Sequence, residues 1–408
     1  MHSNTPSPAS ETISKPHSTL SKRIFAFFQH WPPYAGAAGL RGRSILTGLR
    51  DHPATYEKDL RVYTTTPGAT AVKRVEVVVL PVAELENSEK ILTRIFGEVR
   101  IGWVAARRMF RKDGGADFVI ISMPAYLAGI VMSAMARWHR TPYALEVRDV
   151  YPQVYAEAGL IRRDSLVYRL FSYLSRVAYE RAQCVIVATR GLERVVRADA
   201  PLADVHAVYN GFPAEFLLRR AVKNERFTVC FHGVMGFFQD IETLIRVAVE
   251  LQRHEVDVLV IGYGRQETLL RAEAPPNLTF RGRLPFDRTI AEIEKCHLGL
   301  CLRKDDGISK DAFPVKVWEY LGLGIPSIVT PRCEAGDFLE AHGCGFQLDP
   351  GRITDLVQKI CHLKNNPAEL GRLAANCRAA GMDYTREKLG ARVAEVIAEH
   401  GLDRLPVV

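Results

Sequence analysis

Short runs of β-branched and apolar residues alternate with stretches of helical pattern along almost the whole of this 408-residue chain, and that alternation leaves few folds open. Strands joined by helical crossovers lie parallel, in a sheet covered by helices on both faces. In the first half the runs are Ile24 to Phe28, Leu60 to Thr64, Val75 to Leu80, Phe118 to Ser122, Tyr143 to Glu146 and Cys184 to Ala188, closed by Val205 to Tyr209. The second half repeats the theme with Phe227 to Phe231, Val256 to Ile261, Leu278 to Phe280, Leu298 to Leu302 and Ser327 to Val329. A single core rarely grows past about 250–300 residues, so two α/β domains are expected.

The division follows composition. Residues 1–22 are rich in Ser, Thr and Pro and lack the apolar stretch of a secretion signal, so they read as a disordered tail. Residues 23–212 then form the first domain, 213–226 a charged linker after Asn210-Gly211, 227–383 the second domain, and 384–408 a C-terminal helix. The uncharged run Phe118 to Ala136 approaches the length of a membrane span. Ser122, Met123 and Pro124 divide it into a buried strand and a helix.

A balance of 54 basic to 46 acidic residues gives a net charge of +8, which favours anionic partners such as nucleotides, phospholipid headgroups or lipid-linked diphosphates. No nucleic-acid-binding motif accompanies it. The eight cysteines lack any Cys-x-x-Cys pair and fall largely in apolar runs, as buried reduced thiols of a cytosolic protein do.

Within KDAFPVKVWEYLGLGIPSIV, Asp311 and Glu319 bracket a helix start. Proline suits the first helical position, so Pro314 is expected there, with the free N–H groups of Val315 and Lys316 pointing outward. Backed by the helix dipole, those groups make a site for a diphosphate. Glu319, about 7 Å deeper along the axis, can accept from the two hydroxyls of a ribose. Asp311 can accept from a sugar hydroxyl on the other side of the phosphates.

This stretch resembles the signature of retaining GT-B glycosyltransferases, the large sugar-nucleotide family 4. Its members carry Glu, seven residues, Glu, with Phe-Gly or Phe-Pro after the first acid. Here Asp311 stands at the first Glu, followed by Phe313 and Pro314. The resemblance implies two Rossmann-like, doubly wound parallel-sheet domains with a cleft between them, and a last helix crossing back to the first domain. It also implies transfer with retention from a UDP- or GDP-linked sugar to an acceptor hydroxyl, the acceptor being a lipid-linked or polysaccharide intermediate of cell-surface glycan synthesis. Metal and cofactor are not required, and no Asp-x-Asp motif occurs in a suitable place. The expected location is the cytoplasm, at the inner face of a membrane.

Further residues take their expected places from this resemblance. Gly36, Gly39 and Arg41, with Arg43, lie in the loop after the first strand that touches donor phosphate or acceptor. Asp149, in Glu146-Val-Arg-Asp-Val-Tyr-Pro152, meets the transferred sugar or acceptor, or else forms a structural network with Arg148. Gly233, Gly262 and Gly264 sit in the glycine turns of the donor domain, and Arg281 and Gly282 where the nucleobase is held. Family members carry an Arg just after the first glycine and a Lys several residues on, both gripping diphosphate; here Val234 and Gln239 stand there. Lys316 is the expected substitute, ahead of Lys310 and Arg303. In the resulting scheme Asp311, Lys316 and Asp149 are catalytic, while Glu319, Phe313, Pro314 and Val315 bind the donor.

Two other functions share the architecture: a nucleotide-sugar epimerase, and a non-catalytic scaffold that has lost its phosphate-binding cations. Finally, Ile91 to Lys112 spaces Ile91, Ile95, Val99 and Ala106 as a helical stripe among Arg94, Arg100, Arg107, Arg108 and Arg111. Such a stripe packs on a core with a solvated basic face, or rests on an anionic membrane.

Overall fold

A computed structural model describes residues 22–33, 37–83, 91–305, 307 and 309–402. All of the expected tail except Lys22, and Gly36, lie outside the described residues.

The first domain runs β1 (Arg23–Phe27), α1 (Ala37–Asp51), β2 (Asp59–Thr64), β3 (Glu76–Val79), α2 (Ile91–Arg107), β4 (Phe118–Ser122), α3 (Tyr126–Trp138), β5 (Tyr143–Val147), α4 (Gln153–Glu157), α5 (Leu166–Arg181), β6 (Cys184–Val187), α6 (Arg190–Asp199) and β7 (Val205–Ala207). Its seven strands are ordered β3-β2-β1-β4-β5-β6-β7 and all pair in parallel. Strand β4 is buried at every position. That is why it reads as a continuous apolar run rather than an alternating one. Alternate residues nonetheless serve different cores. Phe25, Val119 and Val185 pack with α2, α3, α5 and α6 on one face. Ile24, Ile120 and Ile186 pack on the other.

The second domain comprises β8 (Thr228–Val234), α7 (Ile241–Gln252), β9 (Asp257–Tyr263), α8 (Glu267–Glu273), β10 (Leu278–Phe280), α9 (Phe286–Ile293), β11 (Leu298–Leu302), α10 (Val315–Leu323), β12 (Ser327–Thr330), α11 (Glu334–Ala341), β13 (Gly345–Gln347), α12 (Ile353–Asn365) and α13 (Pro367–Gly381). Its sheet is ordered β10-β9-β8-β11-β12-β13. In both sheets strand order reverses beside the first strand, which leaves a crevice at the strands' carboxyl ends.

Helix α14 (Arg386–Ile397) crosses to the first domain and packs against α1, its Val393, Ala394, Val396 and Ile397 completing the second core there. Two glycines permit the approach: a Cβ on Gly48 would stand 2.2 Å from the Gly390 carbonyl oxygen, and one on Gly390 2.3 Å from that of Ser44. The chain thus passes between domains twice. The passages are joined, because Phe212 N–H donates to Tyr384 O (3.3 Å) and Arg386 N–H donates to Phe212 O (2.7 Å).

Three sequence expectations are revised. Strand β13 was not expected; its Gly-Phe-Gln sequence lacks the β-branched run that marks the other strands. Pro314 precedes its helix as the N-cap, with extended backbone (φ −61°, ψ 135°), rather than occupying the first helical position. The stripe on α2 holds in part: Ile95 and Ala106 pack on the core as expected and are joined by Ile101 and Ala105, whereas Val99 faces solvent. The run 118–136 divides into β4 and α3 as expected, and among the described residues no helix is long and apolar enough to cross a membrane. No disulfide joins the cysteines, seven of which are buried.

A methyl group at Gly390 has nowhere to go but into the backbone of α1. G390A is expected to destabilise the protein by about 1–3 kcal/mol, the usual range for overpacking, as measured by urea denaturation.

Candidate active site

Helix α10 is apolar nearly all round, and burying Val317, Trp318, Tyr320 and Leu321 fixes its axis inside the second domain. Val317 N–H donates to Pro314 O (3.0 Å), while left-handed Gly324 (φ 68°) ends the helix. Its first turn opens onto a cavity of about 450 Å³ between the domains. Arg148 and Asp149 after β5 and Thr189 after β6 form one wall; Arg303, Lys310 and the segment Asp311 to Val315 form the other. Four cations, Arg148, Arg163, Arg303 and Lys310, thus face three acids, Asp149, Glu157 and Asp311. Asp149 is accessible to solvent yet sits low in the cleft, where burial raises its carboxyl above the usual range despite the opposing charge of Arg148.

Asp311 has a second environment, at the contact between domains. Its carbonyl accepts from Thr189 Oγ1 (2.9 Å) and its Oδ1 from Arg194 Nη2 (3.2 Å). Glycine at 191 is what lets it approach, since a Cβ there would lie 2.6 Å from Asp311 Cβ. Beside it, Glu334 accepts from the Arg190 and Gly191 N–H groups (2.8 and 2.5 Å) and from the Tyr209 hydroxyl (2.7 Å). The N-terminus of α6, otherwise short of acceptors, is therefore capped across the domain boundary. Thr189, Arg194 and Glu334 were not singled out in the sequence; their partners are too distant in the chain for any local pattern.

Lys316 does not line the cavity. Its side chain runs behind the 233–236 turn, where Nζ donates to Gln239 Oε1 (2.8 Å) and lies 3.7 Å above the centre of the Phe231 ring. Burial lowers its pKa to about 8, so it remains mostly charged at neutral pH. Glu319 lies deeper and is buried, with Oε2 3.4 Å from His232 Nε2. Burial pushes that carboxyl up to about 7, against the pull of Arg386 and Lys316. The same burial, helped by Lys316, drives His232 down to about 3, so the contact is between a neutral imidazole and a half-ionised acid rather than an ion pair. His232 Nε2 has no hydrogen-bond partner among the described residues.

The glycine turns nest on one another. Gly233 and Gly262 are register partners in β8 and β9, and a Cβ on Gly262 would strike the Gly233 carbonyl at 2.0 Å. Gly264 is barred from a side chain by the Met235 backbone, and Gly262 N–H donates to Gly282 O (2.9 Å). Arg281 is exposed at the end of β10. Phe313 stacks on Trp318 with centroids 4.0 Å apart, which anchors the segment leading into α10.

Arg41 departs from expectation. Expected to face an anion, it is turned inward and buried, with Nε donating to Glu146 Oε1 (2.6 Å) and Nη1 to Tyr209 O (2.8 Å). Burial would raise Glu146, but Arg41 and Arg148 outweigh it and hold the carboxyl below its ordinary range. Gly39 instead packs against the Trp31-Pro32 backbone. Outside the cavity, among the described residues, one group of metal-ligating side chains comes together, Asp204, His206 and His400, where the Asp204 carboxylate contacts both imidazoles at 2.9 Å.

The Glu319 shift has a sign that can be measured. An acid near 7 in the native state and about 4.3 unfolded keeps its proton longer when folded, so it costs stability as pH rises through that window. E319Q abolishes the titration. Its melting temperature is expected to fall less between pH 5 and pH 8 than that of the parent, as read by scanning calorimetry.

With this geometry in place, the likenesses to other proteins are informative. Residues 27–211 match the family described as "Glycosyl transferase 4-like domain", and residues 217–381 match "Glycosyl transferases group 1". The probable glycosyltransferase WbjE of Pseudomonas aeruginosa is 22% identical over 298 residues, which is 68% of this chain and 74% of that protein. WaaG, a glycosyltransferase involved in lipopolysaccharide biosynthesis, superposes with a TM-score of 0.67 at 15% identity over 92% of this chain and 99% of its own. HepE from Anabaena, solved with UDP-glucose, superposes with a TM-score of 0.64 at 15% identity over 92% of this chain and 99% of its own. The paired domain matches, spanning nearly all of both sheets, make this chain a member of the GT-B glycosyltransferases of the family 4-like type.

Proposed function

We propose that the chain transfers a sugar, with retention, from a nucleoside-diphosphate donor to a hydroxyl of a lipid-linked or polysaccharide acceptor in cell-surface glycan synthesis. The observation that carries this reading is the mouth of α10, where the first helix N–H groups, without an acceptor among the described residues, open with Arg303 and Lys310 toward the cavity and Lys316 stands behind them. A transition state of oxocarbenium character builds charge on the departing diphosphate, and preorganised N–H groups and cations stabilise such charge strongly. The donor enters along the second domain, Glu319 takes the ribose, and Asp311 and Asp149 meet the sugar and the acceptor. UDP is the first nucleotide to try, because HepE is seen with UDP-glucose.

The Lys316 ammonium supports this reading despite Val234 and Gln239. It donates to Gln239, the residue standing where relatives keep a lysine, so a cation is supplied to that place from a different helix. A scaffold without activity would have no use for it, and an epimerase would need both an acid and a base free to act in the cleft, whereas of the three acids there Asp311 and Glu157 are paired with arginines and, among the described residues, Asp149 alone is not.

Incubation with radiolabelled UDP- and GDP-sugars and a membrane extract tests the reading: label appearing in a glycan or lipid fraction supports transfer, isomerised donor indicates the epimerase, and absent nucleotide binding in calorimetry the scaffold. K316A is expected to lower kcat with the fold intact, by less than the roughly 100-fold cost of a donor in direct contact with the developing charge, because the ammonium acts from behind the 233–236 turn. Unchanged turnover in that variant would remove Lys316 from the leaving-group site.

A further inference from the structure

Two helices of the first domain turn large apolar side chains toward solvent. On α2 these are Phe96 (73% exposed), Val99 and Trp103; on α5 they are Leu166 (81% exposed), Leu170 and Tyr173. Isolated exposed apolar residues are common on soluble proteins, but each of these sets falls at three- or four-residue spacing and forms a row along one helix face.

The rows are level with each other. Helix α3 lies between α2 and α5, and its first turn is tied to both: Glu98 Oε2 accepts from Leu127 N–H (2.9 Å), and the Tyr126 hydroxyl donates to Phe171 O (2.8 Å). Helices that follow parallel strands begin at the strands' carboxyl edge, so these first turns lie at the end of the layer nearest the cavity. Arg163 and Glu157, which lead into α5, line that cavity.

Among the described residues the unpaired charge along the rows is one-sided. Arg100, Arg107, Arg111 and Arg169 are exposed and have no ion-pair partner among the described residues. Among the described residues, the acids on α2 and α5 and in the segments beside them are already paired, Glu98 with Arg94, Asp113 with Arg108, Glu157 with Arg163, Asp164 with Arg162 and Glu180 with Arg176, while Asp199 on the neighbouring α6 accepts from Gln153. What remains to meet a partner is positive and apolar together.

We propose that this α2–α5 face docks on an anionic lipid bilayer, with Phe96, Trp103, Leu166 and Leu170 in the interfacial zone and the unpaired arginines on headgroup phosphates. Aromatic and aliphatic side chains beside arginines suit that zone, where each basic residue adds attraction and long stems reach past the apolar layer. A second copy of the same face would set arginine against arginine, which disfavours self-association. Docking stands on the surface alone; that it presents a lipid-borne acceptor to the cavity rests on the transferase reading above.

Co-sedimentation of the full chain with vesicles separates the two. Phosphatidylcholine vesicles containing phosphatidylglycerol are expected to carry the protein down at low salt, and pure phosphatidylcholine to carry at least tenfold less. W103E/L170E and, separately, R100A/R107A should each cut binding to the mixed vesicles by about tenfold, with unchanged circular dichroism. Parent protein that stays in the supernatant with both vesicle types, or variants that sediment like the parent, overturn the proposal. So does a dimer in light scattering that W103E/L170E dissolves, since it gives the face to a second copy. Vesicle binding with no sugar transfer from any donor would sink the transferase reading and leave the docking intact.

Discussion

Helix α6 starts in one domain and finds acceptors for its first N–H groups largely in the other. Thr189 caps one of them locally, but Arg190 and Gly191 are served by Glu334 across the boundary, and Asp311 packs onto the space where Gly191 lacks a side chain. Charge-assisted bonds from backbone N–H to carboxylate are stronger than neutral ones, and here the helix dipole adds to them. The cavity has its shape because this contact holds the carboxyl ends of two separate sheets face to face. Asp311 belongs to both the clamp and the cavity wall, so closing the domains and completing the site are one event.

Behind that wall the second domain tolerates polar groups in an otherwise apolar helix. Lys316, Glu319 and His232 are all buried, and each is driven toward its neutral form by loss of water. Burying such groups is costly unless partners compensate, and Gln239 compensates only Lys316 by a hydrogen bond. Perturbed ionisable groups gathered beside a cleft are what a site under electrostatic demand looks like. The orphaned His232 Nε2 lies next to the acid expected to hold a ribose, and a hydroxyl there would give it a partner.

The sheets were legible because buried parallel strands need apolar, β-branched runs, and these stand out between helical stretches. Strand β13 escaped because an edge strand of three residues needs no such run: Gly345 is demanded by the Ser327 backbone, and Gln347 by its bonds to Asp337 and Glu340. The α10 start was legible from Phe-Pro ahead of an apolar helix. Which way Arg41 points was not, since a basic residue in a glycine-rich loop reads equally well as an anion ligand or as the partner of a buried acid; Glu146, 105 positions away, decides it. The same distance in sequence hid Glu334 from view, 143 positions from the N–H group it caps. The outward turn of Val99 on α2 was hidden differently, because that exposed face also carries Phe96 and Trp103 and hydrophobic periodicity assumes a polar one.

The chain leaves the first domain at Phe212 and returns at Thr385, and the two passages are hydrogen-bonded to each other. In topological terms the second domain is an insertion, and the last helix is a wall of the domain that the chain began with. A single tether permits rotation about any axis, whereas a bonded pair resists twisting and leaves bending as the soft coordinate. Opening of the cleft is thereby confined to a path along which both walls part and meet again in the same register. A break after residue 381 would take away half of that tether and part of the first domain's core, leaving an opened molecule rather than a shortened one.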